Sequence, residues 1–92
     1  MKINLYATYR QVAGEKSIEL ELPAYATVYD MLRAIQHAYP RLGALLLDGN
    51  GQALVHVHIF IDGHDTQYLP DGMGTLLTSA EKIDIFPPIA GG

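Results

Sequence analysis

One stretch of this chain has a helical period, and segments with alternating apolar residues flank it on both sides. Val28, Leu32, Ile35 and Tyr39 fall at i, i+4, i+7 and i+11, which places them in one stripe of an amphipathic helix. Thr27 stands where an N-cap belongs, and Asp30, three residues on, suits the positive end of the helix. Pro40 ends the run, because a proline ring has no N–H to give to the preceding turn. A helix with one apolar stripe needs a surface to cover it. Strands with one apolar face provide that surface, so the pattern predicts an α+β layer with a helix packed on one face of a sheet.

The flanking segments supply the strands. Lys2 to Tyr9 alternates, with Ile3, Leu5 and Ala7 on one face and Asn4, Tyr6 and Thr8 on the other. Val12-Ala13-Gly14-Glu15 predicts a turn in which Gly14 is free to take positive φ. Lys16 to Leu22 then puts Ile18, Leu20 and Leu22 inward and Glu19 and Glu21 outward, so the two segments predict an antiparallel hairpin that Pro23 stops. Leu45-Leu46-Leu47, within Arg41–Leu54, is too short for an assignment, and Asp48-Gly49-Asn50-Gly51 predicts a turn. Val55 to Ile61 predicts a strand with Val55, Val57, Ile59 and Ile61 inward and His56, His58 and Phe60 outward. Asp62-Gly63 suits a tight turn into a short edge strand over His64–Leu69. Pro70–Gly74 predicts a loop, Thr75–Glu81 a connector, and Lys82–Phe86 a last strand with Ile83 and Ile85 inward.

Composition narrows the function classes. The chain has 92 residues, enough for one domain with a modest core. A formal net charge of −4, with six Lys and Arg and no basic cluster, lacks the electrostatic footprint of a nucleic-acid binder. There is no cysteine, hence no disulfide framework and no thiol nucleophile. Met1-Lys2-Ile3-Asn4 does not open a signal peptide, and no apolar run approaches membrane-spanning length, so the expected location is cytoplasmic.

The last residues, Phe86-Pro87-Pro88-Ile89-Ala90-Gly91-Gly92, carry the chemistry. Pro87 and Pro88 cannot continue a sheet ladder and start a stiff polyproline-type segment. Phe86, preceding a proline, is held extended. Ala90, Gly91 and Gly92 narrow the chain until backbone alone can pass through a channel. Residues 87–92, fully extended, reach at most about 20 Å, enough to enter a partner's active site while the holder stays outside. The bland alternative is a frayed terminus that happens to contain glycine. A strand, a double proline and a tapering tip in succession weigh against it.

Two alternating segments, a helix, two further strands and a terminal strand that ends in Gly-Gly resemble the ubiquitin-like β-grasp fold. More specifically, the ending Phe86–Gly92 resembles that of the ubiquitin-like sulfur carriers of MoaD/ThiS type, the molybdopterin synthase small subunits in particular. Tyr6-Ala7 with Val12-Ala13-Gly14 resembles the first hairpin of that family, and Ile59-Phe60-Ile61-Asp62-Gly63 its third strand. Ser79-Ala80-Glu81 departs from it, since relatives often carry Asp-Gly-Asp there. The resemblance implies a mixed four- to five-stranded sheet with one main helix over residues 1–86 and a flexible tail over 87–92.

It also implies a role for Gly92. Its α-carboxylate would be adenylated by a ubiquitin-activating-type adenylyltransferase and converted to a thiocarboxylate whose sulfur goes to an acceptor. The residues agree with the need for help. An α-carboxylate has a pKa near 3.5, so at neutral pH it is an anion and a poor electrophile. Gly72-Met73-Gly74 is followed by Leu77 where a dinucleotide fingerprint needs glycine, and no Walker-type Gly-Lys-Ser/Thr occurs. ATP and Mg²⁺ are therefore expected to belong to the partner.

The implied topology sets the first, last and third strands side by side. Parity then puts Tyr6, Phe86 and Phe60 on the open sheet face beside the root of the tail, an aromatic patch of the kind partners use as anchors. With Pro87, Pro88, Ile89, Ala90 and Gly91 it forms the expected partner-binding surface, against the plainer view that scattered exposed aromatics are ordinary. His56 and His58 point the same way on a strand, with His64 beyond a turn and Asp84 or Asp62 as supporting carboxylates. No fourth ligand is evident, so no metal site is assigned. Glu19 and Glu21 are read as a solvated face.

The leading expectation is a sulfur carrier acting with a molybdopterin synthase large subunit. The alternatives are a carrier for cysteine synthesis or tRNA and other thiolation, and a modifier joined through Gly92 to lysines. A plain β-grasp interaction module is the third class.

Overall fold

The computed structural model describes residues 1–54, 56–78, 80 and 82–88. Strand β1 (Lys2–Leu5) buries Ile3 and Leu5 completely, as alternation requires. It stops there rather than running to Tyr9. Ala7 adopts φ 51°, outside the region a strand residue occupies, and turns the chain into a short helix, α1 (Thr8–Ala13). Val12 and Ala13, expected in a turn, are the last residues of α1, and Tyr9 is buried from its first turn. Gly14 takes φ 77° and its N–H donates to the Arg10 carbonyl at 2.9 Å, the left-handed helix stop that glycine allows. Strand β2 (Ser17–Glu19) then pairs antiparallel with β1, Ile3 opposite Ile18. It is shorter than predicted, and Leu20 and Leu22 are half-buried beyond its end.

Helix α2 (Val28–Ala38) is the amphipathic stretch. Its first turn closes a capping box: Asp30 N–H donates to Thr27 Oγ1 at 3.1 Å, and Thr27 N–H donates to Asp30 Oδ2 at 3.0 Å. Val28, Met31, Leu32 and Ile35 are buried, so Met31 joins the stripe, while Tyr39 caps the C-terminus half-buried. Pro40 ends α2 but opens another helix, α3 (Pro40–Leu46), because at the first position of a helix the missing N–H costs nothing. That helix occupies much of the stretch the sequence leaves unassigned, and buries Leu42 and Leu46.

The two helices touch at Gly43. A Cβ built there would lie 2.4 Å from Gln36 Cα and 2.8 Å from its Cβ, so backbone rather than a movable side-chain tip is in the way. Alanine would gain up to about 1 kcal/mol in helix propensity. Overpacking of this kind costs about 1–3 kcal/mol, more than a short helix recovers. Gly43→Ala is expected to lower the Tm by roughly 5–15 °C in a thermal melt; an unchanged or raised Tm would show that α2 and α3 are not packed this closely.

Asp48 organises the following turn, its Oδ1 accepting from the N–H groups of Asn50 at 2.8 Å and Gln52 at 3.0 Å. Strand β3 spans His58–Ile61, shorter than the predicted Val55–Ile61. His56 lies in a turn before it, and Val55 is outside the described residues. Asp62 at φ 51° and Gly63 at φ 85° make the tight hairpin turn into β4 (His64–Asp65). The predicted edge strand over His64–Leu69 ends after Asp65 because Thr66–Tyr68 closes into a 3₁₀ turn, with the Gln67 N–H donating to Asp65 Oδ1 at 2.9 Å. A second 3₁₀ turn covers Gly72–Gly74, inside the predicted loop. In the connector, Ser79 and Glu81 lie outside the described residues. Strand β5 (Ile83–Phe86) follows as predicted.

The five strands form one mixed sheet in the order β2-β1-β5-β3-β4, with β1 and β5 parallel and the other pairs antiparallel. Ile3, Leu5, Ile18, Ile59, Ile61, Ile83 and Ile85 form a common core with the buried stripe of α2 and with Leu42 and Leu46 of α3. Among the described residues no helix is long and apolar enough to cross a membrane.

Candidate functional site

With isoleucines filling one face of the central strand, Asp84 and Phe86 of β5 belong to the other. That face brings the three predicted aromatics together. The rings of Tyr6 and Phe86 stack, with centroids 4.2 Å apart and 16° between planes. Phe60 meets Phe86 edge-on at 5.4 Å and 81°. The edge-on pair has a preferred aromatic geometry, and the near-parallel pair is a close stack. The pairing register explains the meeting, because β5 lies between β1 and β3, and Phe60 and Phe86 project from the same face of adjacent strands.

An open groove of about 710 Å³ runs beside the rings, lined by Tyr6, Thr8, His58, Phe60, Phe86 and the two prolines, among others. Pro87 is half-buried in it and Pro88 exposed, so the tail leaves the sheet at this patch. Ile89, Ala90, Gly91 and Gly92, the remaining predicted site residues, lie outside the described residues.

Polar groups that the sequence does not assign to this site border the rings. The Arg10 guanidinium sits 5.3 Å from the Tyr6 ring centre, and its Nε donates to the Leu5 carbonyl at 3.0 Å. Asp84 is only 5% exposed. Its Oδ1 accepts from Tyr6 OH at 2.8 Å and from Asn4 Nδ2 at 3.1 Å, and its Oδ2 lies 3.8 Å from Lys82 Nζ. The hydrogen bond to Asp84 raises the Tyr6 phenol above its ordinary pKa of 10.0; burial and the Asp84 charge act the same way, and Arg10 opposes them. Parity could have placed Asp84 here, two residues before Phe86 on one strand. Arg10 had no such signal, since it arrives on a helix that the sequence pattern hides.

His58 Nδ1 lies 3.7 Å from Asp65 Oδ2 at the edge of the groove. His56 is off the strand, so the two histidines do not share a strand face as expected. Among the described residues no group of three or more His, Asp or Glu side chains gathers as a metal site would need. Glu19 and Glu21 are both exposed.

A five-stranded mixed sheet gripping a helix, with parallel first and last strands, defines the ubiquitin-like β-grasp proteins, and the crystal structure of SAMP1 from Haloferax volcanii superposes with a TM-score of 0.84 at 26% identity, covering 100% of this chain and 98% of that one. The chain belongs to the ThiS family, whose model matches residues 3–92. It is 36% identical over 92 residues to small archaeal modifier protein 3 of Haloferax volcanii, covering 100% of this chain and 98% of the relative. It is 26% identical over 92 residues to the molybdopterin synthase sulfur carrier subunit of Dictyostelium discoideum, covering 99% of this chain and 94% of that one. Membership in the ubiquitin-like carrier and modifier family therefore stands. The molybdopterin pathway is not specified by it, and similarity to an archaeal modifier exceeds similarity to the molybdopterin subunit.

Proposed function

We propose that this protein is a ubiquitin-like modifier whose Gly92 carboxylate is activated by a partner and joined to amines on target proteins. The observation that carries this reading is the placement of the stacked aromatic face at the point where β5 hands over to Pro87. A partner gripping that face holds the root of the arm as well. The chemistry follows from the reactive group. The carboxylate attacks the α-phosphate of ATP and pyrophosphate leaves. The resulting acyl-adenylate is a good electrophile, and a lysine amine can displace AMP to form an isopeptide. ATP and Mg²⁺ are the activating enzyme's to supply. The likeness to an archaeal modifier along the whole chain favours this acceptor.

A second reading shares every step up to the adenylate. There a sulfur nucleophile displaces AMP and leaves a thiocarboxylate, which donates its sulfur to a biosynthetic enzyme. Similarity to the Dictyostelium molybdopterin subunit supports it.

One experiment separates the two. The tagged protein is expressed in its own host, and its adducts are purified and digested with trypsin. The last cleavable residue is Lys82, so conjugation leaves the 83–92 segment branched from target lysines. Finding those branched peptides supports the modifier. Finding only an intact chain with sulfur in place of one terminal oxygen supports the carrier and sinks the modifier.

A further inference from the structure

Resting on the reading that the arm delivers Gly92 to a partner, we infer that Asp84 and Tyr6 are positioning residues. Together they hold the Phe86 ring and so set the direction in which residues 87–88 leave the sheet.

Phe86 needs such a hold. It is the last residue of the central strand. On its β3 side it pairs with His58, but on its β1 side the ladder ends one residue earlier, at Leu5–Ile85. The Tyr6 ring, stacked on Phe86, takes over where backbone pairing stops. Tyr6 stands at the end of the strand, with Ala7 at φ 51° immediately after it and its carbonyl accepting from the Tyr9 N–H of α1 at 3.2 Å. Its hydroxyl is tied back to Asp84, two residues before Phe86, at 2.8 Å. Asn4, the register partner of Asp84, fills a second bond to the same oxygen. Asp84, Tyr6 and Phe86 thus form a closed loop of contacts across two strands.

Stability does not account for the carboxylate. A buried acid on a central strand is costly, and an apolar side chain of similar volume is often as good or better for the fold. Direction does account for it. Pro87 and Pro88 are stiff, so an orientation set at Phe86 is carried outward rather than lost in free rotation. Two residues at about 3.1 Å each make an arm of about 6 Å, and a 20° swing at the root moves its end by about 2 Å. Misplacing a reacting group by about 1 Å can cost on the order of 100-fold in rate.

The test is steady-state ATP–pyrophosphate exchange by the activating enzyme from the same organism, with this protein as the varied substrate. Tyr6→Phe keeps the ring and removes the tie; Asp84→Leu keeps roughly the volume and removes the oxygen that accepts from Tyr6 and Asn4. Both are expected to lower kcat about tenfold, with KM within about twofold of the parent. The split is diagnostic. A partly unfolded variant, or one that docks poorly, behaves as a diluted or weaker substrate: KM rises and kcat at saturation holds. Either that result or unchanged kinetics in both variants would overturn the inference. Cross-relaxation between the Tyr6 and Phe86 rings, followed by NMR in the isolated protein, needs no enzyme. It should weaken in both variants, and intact ring contacts in both would also overturn the inference. If the parent protein supports no exchange, the functional reading fails, and the ring contacts alone then decide whether the tie exists.

Discussion

A chain ending at Ala90 keeps its melting temperature and loses activation, with adenylation by the partner enzyme falling at least about 1,000-fold. Removing Gly91 and Gly92 withdraws the carboxylate by about 7 Å, two residues at about 3.3–3.6 Å each. Correct placement of reacting groups is worth about 7–11 kcal/mol of a barrier, and a retreat of that size forfeits most of it. The new terminus would also bring a Cβ to any channel narrow enough to admit backbone alone. Core residues are a different matter, since none of those described lies beyond Ile85. The measurements are ATP–pyrophosphate exchange and a thermal melt on the same preparation. Exchange within tenfold of the full chain would end the view that the terminal glycine is the reactive residue.

Phe60→Lys weakens binding to the activating enzyme by about 30-fold or more and leaves the fold intact. Phe60 is half-buried, edge-on to Phe86 and at the groove, where an aromatic anchor is worth about 2 kcal/mol or more when truncated. Lysine is the chosen replacement because of its neighbours. Phe60 stands opposite Asp65 on one side and Asp84 on the other, so a cation meets two carboxylates and cross-strand pairing is preserved. An acidic replacement would instead crowd three like charges. Titration by calorimetry reads the affinity, and circular dichroism reads the fold. Parent-like affinity would remove the aromatic face from the docking surface, and loss of fold would mean that Phe60 belongs to the core.

The sheet and its main helix are legible because their signals are local and periodic. Ile83 and Ile85 alternate, Thr27 and Asp30 close a box four residues wide, and Asp62-Gly63 takes the positive φ angles that a two-residue hairpin demands. The patch was legible for the same reason, since parity along three strands decides where Tyr6, Phe60 and Phe86 project. What escaped is not periodic. Ala7 leaves the strand through a backbone conformation that alanine seldom adopts, so nothing in its identity marks the break. Helix α1 is six residues long with no side-chain cap, too short to establish a period. Pro40 looks the same whether a helix stops or a second one starts, and only the buried Leu42 and Leu46 distinguish the cases. Arg10 reaches the site from that short helix, through a contact that no spacing encodes.

The strand order has a consequence for synthesis. β5 is made last yet sits in the middle of the sheet, between the hairpin begun at the N-terminus and the one formed by β3 and β4. Until it emerges from the ribosome, the two hairpins have no common neighbour and the isoleucines of both lack their central partner. A prematurely terminated polypeptide is thus left half-assembled, a ready substrate for proteases, and it also lacks the glycine ending. Completion of the sheet and synthesis of the glycine ending therefore fall together, and under the function proposed above a truncated product lacks both the folded holder and the residue to be activated.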